Sequence, residues 1–173
     1  MRKLTRITSE YVDVEDRIRI TALTEDNTTI GLWFTLRLMD RIVNHCLSLL
    51  EKHCPEITKA AITDKKSRAN IQGFVQQSAQ QELQQEEAVS LSESSPDYLV
   101  REVDIKFIAE GAILIFKKEE TENFELHLNN QQLRQWLGII FALWKNADWP
   151  LSSWPDWMIG SGKESHMAET SVH

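Results

Sequence analysis

Cysteine is nearly absent from this 173-residue chain: only Cys46 and Cys54 occur. The N-terminus MRKLTRITSEYV is basic but lacks the apolar centre of a signal peptide, so a reducing, cytoplasmic setting is expected. Long hydrophobic runs are missing as well. The best, WLGIIFALW, is far shorter than the roughly 20 residues a membrane-crossing helix needs. Positive charge is in deficit, with 19 Lys and Arg against 26 Asp and Glu, a net charge of −7 and a pI near 5.3. That balance argues against nucleic acid as a default partner, because non-specific binding to phosphates draws on clustered cations.

Catalytic signatures are also wanting. No Ser or Cys sits on a tight Gly-flanked turn with His and carboxylate partners in its local pattern. The stretch GSGKES resembles the end of a phosphate-binding loop, but Trp157 stands where the first Gly belongs and Glu164 where Ser or Thr belongs. His45, Cys46, His53 and Cys54 offer nitrogen and sulfur ligands, yet eight helical residues would separate the two pairs by about 12 Å. Cys46 in the core with His45 and His53 on the surface is the simpler reading. His127 with Glu125 two residues away is the best lone acid-base candidate, but a surface histidine is the simpler reading. No catalytic residue, metal ligand or cofactor is assigned.

What the chain does contain is alternation followed by helical spacing. In DRIRITAL, Ile18, Ile20 and Ala22 alternate with Arg17, Arg19 and Thr21; Ile30, Leu32 and Phe34 alternate in the same way. Between them TEDNT supplies turn chemistry, with Asn27 suited to a left-handed conformation. A tip at Asp26 sets Ile20 opposite Leu32 and Ile18 opposite Phe34. Thr35 then caps a helix with apolar positions Met39, Ile42, Val43, Cys46, Leu47, Leu49 and Leu50. A shift of 94 residues reproduces the pattern: Leu114 faces Leu126, Phe116 faces Phe124, Asn129 caps, and Leu133, Trp136, Leu137, Ile140, Phe141, Leu143 and Trp144 follow. A further strand precedes each hairpin, clearly in REVDIKFIAE and weakly in KLTRITSEYV.

The expected fold is therefore α+β: two tandem βββα units, residues 1–54 and 98–147, forming a mixed or antiparallel sheet with two main helices on one face. Residues 55–97 form a Gln-, Glu- and Ser-rich connector with a helix over 67–89, whose thin apolar stripe is Ile71, Phe74, Val75, Ala79 and Leu83. Residues 148–159 form a Trp- and Pro-rich docking segment carrying Trp149, Trp154 and Trp157, and 160–173 a disordered tail in which Ser165-His166-Met167 has the look of a cloning remnant.

On the sheet face turned from the helices, the spacing places Arg17, Arg19 and Trp33 from one unit and Ile113, Ile115 and His127 from the other. Arg19 falls directly across from Trp33. Such a face is too apolar to stay wholly in water, so curling of the sheet, the Trp segment or another chain should cover it. The expectation is a non-enzymatic interaction or assembly protein, binding a protein partner or itself as a dimer. The alternative is a small-ligand or single-stranded nucleic-acid module using the same face. An enzyme with a site between the units is a third reading.

Overall fold

The computed structural model describes residues 1–118 and 122–160. In chain order the elements are β1 (Arg2–Val12), β2 (Arg17–Thr24), β3 (Thr29–Phe34), α1 (Leu36–Lys52), α2 (Pro55–Lys59), α3 (Lys65–Gln81), β4 (Asp97–Leu99), β5 (Glu102–Ile108), β6 (Gly111–Lys117), β7 (Asn123–Asn129) and α4 (Asn130–Asn146). The architecture is mixed α+β, with seven strands in one curled sheet ordered β4-β3-β2-β1-β7-β6-β5. The tail beyond residue 160, including the Ser165-His166-Met167 and GSGKES readings, lies outside the described residues.

Both hairpins have the register their alternation demands. Ile18 pairs with Phe34 and Ile20 with Leu32 across β2 and β3. Leu114 pairs with Leu126 and Phe116 with Phe124 across β6 and β7. A one-residue slip would turn every one of these side chains to the opposite face, so the apolar alternation alone specifies the pairing. The first turn closes through Asn27, whose φ of 60° is left-handed, and Asp26 accepts from Arg2 and from the hydroxyls of Thr24 and Thr28.

Two short parallel contacts curl the sheet. Arg2, Lys3 and Leu4 of β1 lie beside Phe124, Glu125 and Leu126 of β7. Gly31, Leu32 and Trp33 of β3 lie beside Asp97, Tyr98 and Leu99 of β4. Only Val100 and Arg101 separate β4 from β5, which pairs with β6 at the other end of the strand order. One continuous stretch of chain thus touches both ends of the sheet. Across the enclosed face the rings of Phe34 and Phe116 meet edge-on at 5.3 Å.

Helices α1 and α4 contribute Met39, Ile42, Val43, Cys46, Leu47, Leu50, Leu133, Trp136, Leu137, Ile140, Phe141 and Trp144 to the same buried cluster as the inner strand residues. Each fully buried Leu, Ile or Phe contributes roughly 1.5–3 kcal/mol by removal from water. Both helices start at caps: Thr35 accepts from the Leu38 N–H, and Asn129 forms a reciprocal capping box with Gln132. Trp149, Trp154 and Trp157 are buried on this helical side. Trp149 meets Tyr11 and Trp144 edge-on and donates to Asp16 at 2.8 Å; Trp154 packs on Phe141 and Trp144; Trp157 donates to Glu51 at 3.1 Å.

The connector differs from expectation. Its helix, α3, runs over Lys65–Gln81 rather than 67–89, is capped by Asp64, and is preceded by the short α2. Helical spacing stops paying off past Leu83, where Gln84–Glu87 offers no apolar side chain to bury. Its buried residues are Gln72, Gln76 and Ala79. Gln72 donates to the Leu50 carbonyl at 2.9 Å and Gln76 to the Arg134 carbonyl at 2.8 Å, while Gln135 of α4 donates to the Ala79 carbonyl at 2.9 Å. A buried amide costs little once its hydrogen bonds are made; Gln72 is satisfied at both its nitrogen and its oxygen, whereas the Gln76 oxygen has no partner, and the polar face of α3 packs inward all the same.

Candidate interaction surface

Strand alternation turns Arg17, Arg19, Thr21 and Trp33 away from the core that holds Ile18, Ile20, Leu32 and Phe34. Successive registers build one row across this outer face: Glu10, Arg19, Trp33 and Leu99, from β1, β2, β3 and β4. The Arg19 guanidinium lies 5.1 Å from the centre of the Trp33 ring and pairs with Glu10 at 2.8 Å. Arg19 is held from both sides. Trp33 is half-buried and Leu99 44% exposed.

In the other half the same face carries Ile113, Ile115 and His127, flanked by Asp104, Lys106 and Glu125. His127 Nε2 lies 3.4 Å from Glu125 Oε1 on an open surface, an ordinary exposed pair. Ile115 is buried and Ile113 half-buried. The structure therefore places Arg17, Arg19 and Trp33 together and Ile113, Ile115 and His127 together, each trio on adjacent strands.

This face is less open than its sequence suggests, and the covering is not one of the three foreseen. Residues 83–96 have no helix or strand and run over β1, β2 and β3. The Val89 N–H donates to the Thr8 hydroxyl at 2.9 Å, Leu91 lies against Gly31, and Ser95 shares a hydrogen bond with Thr29 at 2.6 Å. Thr8, Thr21 and Gly31 form the row beneath. Val89 and Thr21 are buried as a result. The Trp segment instead covers the ends of α1 and α4.

An exposed aromatic side chain lies elsewhere, on α3. Because Gln72 and Gln76 face inward, Phe74 is turned outward and is 72% exposed, with Ile71 and Val75 half-buried beside it, while Ala79 of the same stripe is buried. These side chains border a cleft of about 620 Å³ that also touches Leu50, His53 and Arg134. Arg134 is buried, with its Nη2 donating to Gln72 at 2.7 Å, and Nη1 has no hydrogen-bond partner. Burial lowers its pKa below the usual arginine range. The outward stripe was legible as a stripe; which way it faced was not.

Cys46 is buried in the core, His45 and His53 are exposed, and His53 stacks on Phe107 at 4.2 Å. Among the described residues no three His, Cys, Asp or Glu side chains converge as metal ligands, and no helix is long and apolar enough to cross a membrane. No family model matches the chain, and neither a curated protein nor a solved structure matches it.

Proposed function

We propose that this chain is a non-enzymatic interaction or assembly protein whose main contact is the outward stripe of α3. The observation that carries this reading is the exposed ring of Phe74: α3 turns Gln72, Gln76 and Ala79 to the core and leaves Phe74 at the surface, with the half-buried Ile71 and Val75 beside it. An exposed aromatic next to an apolar cleft is hot-spot chemistry for a protein partner. The Arg19–Trp33 pair and Leu99 offer a second patch on the sheet. A nucleic-acid role has less support, since Glu10 already neutralises Arg19 and the whole chain is acidic.

We read the scaffold as two βββα units. A 94-residue shift carries Leu36–Lys52 onto Asn130–Asn146, and the parallel pairing of Lys3 with Glu125 has its counterpart in that of Asp97 with Gly31. The connector that joins the units is then the element carrying the contact. Quantitative co-purification from the native cell tests the function. A stoichiometric partner should be retained by the wild type and by the control Val14→Glu, on a distant exposed turn, and lost with Phe74→Glu. Equal recovery with all three, or no partner and no self-association, overturns the reading.

A further inference from the structure

Among the described residues strand β5 has a neighbouring strand on one side only. In the strand order it pairs with β6 and with nothing else among the described residues, because β4 leaves it to join β3. The comparable side of β1 is bordered by the chain itself: residues 82–88 line the groove beside Arg6–Ser9, Trp136 and Ile139. Beside β5, a groove of about 540 Å³ opens between residues 101–106 and Leu38, Arg41, Ile42 and His45 of α1, and no other segment among the described residues lines it. A seven-residue strand with an open edge is a template for one more strand.

From this edge we infer that a second copy of the chain is the occupant, pairing β5 with β5 antiparallel about a twofold axis at Ile105. This rests on the assembly reading above and supplies a specific partner for it. The Ile108–Gly111 pair closes a two-residue turn, so Glu102, Asp104 and Lys106 direct their backbone groups to β6. Val103, Ile105 and Phe107 then direct theirs to the free edge. Centred on Ile105, the five residues VDIKF are complementary to themselves. Ile105 meets its own copy, Val103 meets Phe107 of the partner subunit on the core face, and Asp104 meets Lys106 of the partner subunit on the outer face, twice. Asp104 already pairs with Lys117 at 2.8 Å, whereas Lys106 is exposed and has no ion pair among the described residues. Opposite charges directly across an antiparallel pair stabilise it, and like charges there destabilise it.

Light scattering on the eluted full-length chain, from about 1 to 200 µM, reads the outcome. The wild type is a dimer at the upper end of this range. Lys106→Asp and Asp104→Lys each set like charges across the axis and weaken the dimer about tenfold or more. Mixed one to one, the two variants form a heterodimer, because every cross-strand pair is again opposite in sign; a folding defect would not be repaired by mixing. Ile105→Pro removes the central edge N–H without touching the β6 ladder and gives a folded monomer by circular dichroism. Variants that dimerise as tightly as the wild type, or a mixture that stays monomeric, overturn the β5 pairing while leaving an assembly role through α3 standing. A wild type that is monomeric overturns the pairing as well, and if it also lacks any partner the broader reading falls with it.

Discussion

Asp26 shows how much one exposed side chain can hold. It accepts from Thr24, Arg2 and Thr28, which keeps its carboxyl well below the usual aspartate range, the Thr24 hydrogen bond contributing most. Its folded pKa is depressed, so the stability it confers is present above the unfolded value near 4 and fades as pH falls through that value toward the folded one. The melting temperature of Asp26→Asn should therefore lie below the wild type at pH 7, with the gap closing below about pH 4. A gap independent of pH would show that the charge is irrelevant. The two thiols behave oppositely. Burial pushes the Cys46 thiol up to about 12 and raises that of Cys54. Iodoacetamide at pH 8 should label neither in the native chain and both in denaturant; rapid native labelling would contradict their burial. At this scale the Arg19–Trp33 contact was legible, because alternation and turn position fix which residues oppose.

Among the elements, α4 and α3 show where such legibility ends. Helix α4 announces itself through Asn129, Gln132 and a broad apolar face, and Asn129→Ala should cost about 1 kcal/mol in chemical denaturation. Helix α3 carries a thinner stripe that the fold splits, burying Ala79 and leaving Phe74 exposed. Gln72 and Gln76 are buried only because the carbonyls of Leu50 and Arg134 wait for them, 22 and 58 positions away, and no local pattern encodes distant acceptors. Phe74→Ser should accordingly change stability by less than about 0.5 kcal/mol, as for an exposed side chain, whereas a loss of 2 kcal/mol or more would place Phe74 in the core. Gly111 constrains β6 differently. A Cβ there would stand 2.0 Å from the Leu128 carbonyl oxygen, a backbone atom that cannot swing aside. Gly111→Ala should destabilise by roughly 2–4 kcal/mol.

For the molecule as a whole, the fold class and both hairpin registers could be read ahead of the structure, because each follows from alternation with a period of two. The curl could not. It depends on two three-residue parallel contacts and on residues 97–108 touching both ends of the sheet, and segments that short leave no periodic trace. The covering of the outer face was missed for a related reason. Residues 83–96 are anchored by single contacts at Val89, Leu91 and Ser95, and their composition reads as a solvated linker. The consequence is a molecule whose connector covers the Thr8–Thr21–Gly31 row of its sheet and whose tryptophans pack into its own core, while Phe74 on α3, the Arg19–Trp33–Leu99 row and the β5 edge stay open among the described residues. Hydrogen–deuterium exchange on the full chain, compared between dilute protein and its assembled form, tests that most directly. The account predicts slower exchange in residues 71–75 and 102–108 on assembly, with 83–96 unchanged. Protection confined to the outer sheet face around Trp33, or no change anywhere, would contradict it.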